Sequence, residues 1–134
     1  MADTLILETT FLIDVERERQ KGARGPAMAF LERHGDDRLV VTPTIVGELA
    51  AGFEDGGVER LERFLAPFRI LEIDRDVCWH YSRIYRHLRD NGVLVGANDT
   101  WIAATARAHG MPVVTGNEKH FRRVPGITVL SHTS

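Results

Sequence analysis

A chain of 134 residues with 43% apolar content has material for one hydrophobic core and not two, so a single domain over residues 1–134 is expected. A formal charge of −2 gives no overall field for a polyanion, so any contact with nucleic acid has to rest on local arginine and lysine. The lone cysteine, Cys78, excludes an intramolecular disulfide, and no window approaches the roughly 20 apolar residues of a membrane span.

In chain order, Thr4-Leu-Ile-Leu-Glu8 reads as a short strand covered on both faces. The acids Asp3 and Glu8 stand where a signal peptide would carry a basic lead, and a cytoplasmic location is expected. Thr9 and Thr10 offer hydroxyls to cap a helix with Phe11, Leu12 and Val15 on one side, broken at Gly22 and Gly25-Pro26. A second helix runs from Ala27 to about His34. Arg38-Leu-Val-Val-Thr42 is the next buried strand, and Thr42-Pro43 starts a helix with a capping hydroxyl and proline at its first position. Glu48 lies early in that helix, among the apolar Ile45, Val46, Leu49 and Phe53.

Val58, Leu61, Phe64 and Leu65 make a short helix that stops at Pro67, and Arg69-Ile-Leu-Glu-Ile73 is a third strand. Asp74 caps the longest helix, roughly Arg75 to Asn91, with Val77, His80, Tyr81, Ile84 and Leu88 at helical spacing. Its other side carries Arg83, Arg86 and Arg89, a solvated face or a contact for RNA. Trp79, Tyr81 and Tyr85 on the same helix are candidates for an interface. Asp99 opens a helix that Gly110 stops. Met111 to Thr115 forms a strand ending in Gly116-Asn117, and Ile127 to Leu130 forms the last one.

Strands separated by one or two helices predict an α/β domain with a mainly parallel sheet, and in such sheets ligands collect beyond the carboxyl ends of the strands. Glu8, Glu48, Asn117 and Asp99 should therefore share one edge. Taken singly, Glu48 reads as a solvated or paired acid, Asp99 as a first-turn helix acid and Asn117 as a turn residue. Thr10 reads first as a helix cap, Asp14 as a cap or an arginine's partner, and His120 as a ring packed beside Phe121. Gathered together, carboxylates repel, and a hard divalent ion removes that repulsion. The donors are all oxygens, with no thiolate or imidazole cluster at zinc spacing, which favours Mg²⁺ or Mn²⁺ and metal-assisted phosphodiester hydrolysis.

Four stretches then carry a resemblance: Ile6-Leu-Glu-Thr-Thr-Phe-Leu-Ile-Asp14, Thr44-Ile-Val-Gly-Glu48-Leu, Gly96-Ala-Asn-Asp99-Thr-Trp-Ile-Ala-Ala-Thr-Ala, and Val113-Val-Thr-Gly-Asn-Glu-Lys-His-Phe121. In this order and over nearly the whole chain, they resemble PIN-domain ribonucleases, specifically the VapC toxins of VapBC toxin–antitoxin pairs. The resemblance implies a three-layer α/β/α fold, a homodimer, Mg²⁺ or Mn²⁺, cleavage of RNA, and inhibition by a VapB-type antitoxin. It places the metal-binding and catalytic positions on Glu8, Glu48, Asp99 and Asn117, with Thr10 and Asp14 as secondary positions.

Glu8 stands where the family ordinarily has aspartate, and Asn117 carries one negative charge less than an acid there. The extra methylene of Glu8 makes a catalytically weakened PIN domain, binding antitoxin or RNA, the alternative reading. A phosphoryl-accepting receiver domain is a third. It needs an acidic pair after the first strand, where none follows Leu7, and an aspartate closing the third, where Ile73-Asp74 is a poor version.

Overall fold

The computed structural model describes residues 3–133. In chain order they form β1 (Thr4–Leu7), α1 (Thr9–Gln20), α2 (Pro26–Arg33), β2 (Arg38–Val41), α3 (Pro43–Ala50), α4 (Val58–Leu65), β3 (Arg69–Ile70), α5 (Arg75–Asp90), α6 (Ala97–His109), β4 (Val113–Thr115), α7 (Glu118–Phe121) and β5 (Val129–Ser131). The sheet has the order β3-β2-β1-β4-β5, and every neighbouring pair is parallel. The expected α/β/α arrangement around a parallel sheet is what forms. The order reverses between β1 and β4, so the crevice beyond their carboxyl ends is where such a sheet takes a ligand.

Parallel strands are covered on both faces, and the central ones read accordingly. Ile6, Leu7, Val40, Val41, Val113 and Val114 are all at most 2% exposed. Each such side chain contributes about 1.5–3 kcal/mol on leaving water. The main core joins the sheet to α1, α2, α3 and α4 and takes in Ile102 and Ala106 of α6. A smaller one joins Ala103 and Ala104 of α6 to Val77, Ile84 and Leu88 of α5. Helix α6 is thus apolar nearly all round because it is sandwiched between sheet and helix.

Several elements differ from expectation, β4 and β5 among them, which begin at Val113 and Val129 instead of Met111 and Ile127. The edge strand β3 stops at Ile70 instead of Ile73, because its only partner is β2 and the ladder ends with Leu71 N–H on the Val41 carbonyl at 2.9 Å. Beyond Val41 the chain turns into α3 through Thr42 and Pro43, and proline has no N–H to donate. Helix α1 is capped by Glu8 and not by a threonine: its side chain accepts from Thr10 N–H, and Thr9 and Thr10 are already inside the helix. Helix α6 begins two residues before Asp99, at Ala97, and α7 is a single helical turn too short for a periodic pattern, anchored by buried Phe121. The caps at Thr42 and Asp74 are as expected, accepting from Ile45 N–H and Val77 N–H.

Helix α2 has no cap of its own and borrows one from α1. Glu18 Oε1 accepts from Gly25 N–H at 2.7 Å and Met28 N–H at 2.9 Å, and Oε2 accepts from Ala27 N–H at 2.9 Å. Burial pushes the Glu18 carboxyl up, but those three donors and the charge of His132 outweigh it and hold it below its ordinary 4.5. A group with a depressed folded pKa stabilises above its unfolded value and loses that contribution as pH falls through the folded one. Glu18→Gln is therefore expected to cost roughly 1–2 kcal/mol at neutral pH. The deficit should shrink below about pH 4.5, the ordinary value of the group. Denaturant titration at two pH values reads this, and a deficit unchanged with pH would remove the charged cap from the account.

Candidate functional site

Glu8 is the first residue past β1. Its N–H still bonds to the Val114 carbonyl at 2.9 Å, so β1 and β4 clamp it from behind. The side chain is 3% exposed and fully engaged. Oε1 accepts from the Thr10 hydroxyl at 2.6 Å and the Thr115 hydroxyl at 2.5 Å, and Oε2 accepts from Thr10 N–H at 3.1 Å. Thr115 was not singled out from the sequence. The register Leu7↔Val114 puts it beside Glu8, so strand order is the signal that finds it.

Glu48 comes from the last turn of α3 and not from early in the helix, because α3 already ends at Ala50; that helix follows β2, the strand on the other side of β1. Its Oε1 accepts from the Thr9 hydroxyl at 2.7 Å, and its Oε2 lies 3.4 Å from the Asn98 side-chain nitrogen. Asp99, in the first turn of α6, accepts at Oδ2 from His120 Nε2 at 2.8 Å. The same nitrogen is 2.8 Å from the Val95 carbonyl. Both neighbours are acceptors, so Nε2 carries the hydrogen. His120 does pack against Phe121, edge to face at 5.8 Å, and it also ties α7 to the start of α6, a role its spacing did not reveal.

Electrostatics link the three acids. Burial pushes the Asp99 carboxyl above its ordinary 3.8; His120 acts against that, and the charges of Glu8 and Glu48 push it further up. Asn117 sits two residues past β4 at the start of α7. It joins the network through its backbone, whose N–H donates to Thr115 Oγ1 at 2.9 Å, while its side chain is exposed and makes no capping bond.

Thr10 is inside the network and Asp14 is outside it. Asp14 Oδ2 accepts from His132 Nε2 at 2.8 Å. His132 is 4% exposed, lies edge-on to Phe11 at 4.8 Å, and its Nδ1 has no partner among the described residues. This pair supports the site from beneath. A Cβ on Gly116 would stand 3.3 Å from both His132 Cε1 and Thr10 Oγ1, and Gly116 N–H donates to that Thr10 oxygen at 2.9 Å. A side chain there would push the turn after β4 and α1 a few tenths of an ångström apart.

The donors near Asp99 are oxygens with a negative balance, which suits a hard divalent cation by type and charge. Among the described residues no three His, Cys, Asp or Glu side chains already stand at shared coordination distance. Glu8 is held in place by three donors and keeps one acceptor position on Oε2, so bringing the acids together around one ion depends on movement of Glu48 and Asp99, which are only partly buried.

Residues 5–127 match the PIN domain family. The chain is 30% identical over 121 residues to ribonuclease VapC1 of Methanocaldococcus jannaschii, an alignment covering 90% of this chain and 80% of that protein. It is 36% identical over 115 residues to ribonuclease VapC5 of Mycobacterium tuberculosis, covering 84% of this chain and 82% of that one. Among solved structures, VapBC-1 from nontypeable Haemophilus influenzae aligns with a TM-score of 0.82 at 25% identity, over 98% of this chain and 99% of that chain. The receiver reading is thereby set aside: the chain belongs to the PIN-domain family and, within it, groups with the VapC ribonucleases.

Proposed function

We propose that this chain is a metal-dependent endoribonuclease, the toxin of a type II toxin–antitoxin pair, which hydrolyses RNA phosphodiester bonds with Mg²⁺ or Mn²⁺ held by Glu8, Glu48 and Asp99. Asn117 completes the set through its side-chain carbonyl. The observation that carries this reading is the upward push on Asp99 by burial and by the charges of Glu8 and Glu48. Asp99 is burdened by burial and by two like charges at the switch point of a parallel sheet, and a carboxylate perturbed in this way marks a functional site. When bound, a divalent ion neutralises charge growing on the phosphoryl oxygens and lowers the pKa of the attacking water.

The chain's own residues prepare the rest. Thr10 and Thr115 fix the Glu8 carboxylate, Thr9 holds the Glu48 carboxylate, and His120 holds Asp99. The names of its relatives support RNA as substrate, and the VapBC assembly of the H. influenzae protein supports a VapB-type antitoxin as partner. A homodimer fits the apolar surface of Trp79 and Tyr85, 58% and 46% exposed on α5. Light scattering should then give twice the 15.1 kDa of one chain.

Purified chain is expected to cut a circular RNA, which has no ends for an exonuclease, in Mg²⁺ or Mn²⁺ and to stop in EDTA. The second reading, a weakened domain that binds without cutting, is favoured by the three donors that hold the Glu8 carboxylate. Retention of RNA or antitoxin with no cleavage at any concentration of either ion would establish that reading instead.

A further inference from the structure

Nothing among the described residues requires Gly47 to be glycine. It lies inside α3, its φ is not positive, it is exposed, and a Cβ built on it meets nothing within 4 Å. Glycine weakens a helix interior relative to alanine, and with no side chain at this exposed position the α3 backbone is open to close approach from outside the chain. Gly47 borders a shallow, open cleft of about 570 Å³ between α3 and the start of α6, with Glu48 on its wall.

The lining says what kind of group fits. Besides Gly47 and Glu48 it includes Pro43, Thr44, Ile73, Asn98 and Trp101, and no lysine or arginine. A carboxylate without cations repels phosphate. Trp101 stacks on Tyr81 with ring centroids 4.0 Å apart and still reaches the cleft, and Ile73 is 37% exposed beside it. The Asn98 nitrogen is directed at Glu48, and its amide oxygen has no partner among the described residues. An aromatic and apolar wall with an amide at its edge suits a neutral planar ring that carries its own donors and acceptors.

We propose that this cleft is the subsite for one nucleobase of single-stranded RNA, the base next to the bond cut beside Glu48 and Asp99, with Trp101 as its apolar wall and Asn98 as the reader of its edge. The inference rests on the ribonuclease reading for its substrate, and it adds a specificity pocket outside the acids. It places phosphate over the acids and the base over Gly47, so bulk at position 47 should obstruct RNA without touching the charged groups.

The test uses a Trp79→Phe background, which leaves Trp101 as the one tryptophan of the two in the chain. An uncleavable 2′-O-methyl oligoribonucleotide of mixed sequence, titrated with Mg²⁺ present so that the acids do not repel its phosphates, is expected to change Trp101 emission. Gly47→Leu should abolish the change and raise KM for cleavable RNA at least about tenfold with kcat little altered, and Gly47→Ala should do so more weakly. The thermal midpoint should not fall in either variant, since both are better helix formers. Unaltered emission and KM in Gly47→Leu, in a chain that cuts RNA, would overturn the subsite. An emission change that Gly47→Leu removes, in a chain that never cuts RNA, would uphold the subsite and overturn the nuclease. No emission change in the parent chain would also overturn the subsite.

Discussion

Asp99→Asn is expected to cut RNA cleavage by roughly 10²–10³-fold and to raise the thermal midpoint by about 2–4 °C. The two signs come from one cause. Burial and the charges of Glu8 and Glu48 push the Asp99 carboxyl up, so its ionised form burdens the folded state at neutral pH. Asparagine keeps the shape and still accepts from His120 Nε2, 2.8 Å away in the parent chain, while the repulsion disappears.

The gain should be about 0.5–1 kcal/mol, within the range of single stabilising substitutions. A raised folded pKa means that the burden is absent below the ordinary 3.8 and complete above the folded value. The stabilisation should therefore be seen at neutral pH and vanish in acid. Calorimetry across pH with steady-state kinetics at neutral pH decides the matter. A fall in both stability and cleavage would make Asp99 a structural residue.

Glu8→Asp is expected to raise RNA cleavage by roughly 10–100-fold, since a displacement of about an ångström at a reacting centre can cost that much. In the parent chain the longer side chain folds back onto its own helix. Oε1 is held by the Thr10 and Thr115 hydroxyls and Oε2 by Thr10 N–H, which leaves little acceptor capacity for an ion. Aspartate at the same backbone position still serves as an N-cap, a place that favours it strongly. One methylene shorter, it cannot keep both hydroxyls. A carboxylate freed from one of them should bind Mn²⁺ more tightly, which calorimetric titration reads independently of RNA. Equal cleavage rates and equal Mn²⁺ affinity would show that the extra methylene is neutral.

Much of this molecule was legible before any coordinates. Short apolar runs at Thr4, Arg38 and Met111, the caps at Thr42 and Asp74, and the stop at Gly110 are signals carried by neighbouring residues. They place Glu8 just past a strand, Asp99 in the first turn of a helix, and Glu48 in the helix that follows β2. The alternation of strands and helices then implied a parallel sheet and its reactive edge.

What the sequence alone determined was therefore the set of elements and the end of the sheet to which Glu8, Glu48 and Asp99 belong, because period, caps and breaks act over a few residues. Only the tertiary structure decided the partners. The order β3-β2-β1-β4-β5 sets Thr115 against Glu8 across 107 positions and His132 against Asp14 across 118. It also ends β3 at Ile70 where its one neighbour turns away, and presses Gly116 onto Thr10. Hydrogen bonds and close contacts act over about 3 Å of space whatever the distance along the chain, and no local pattern of residues encodes that separation.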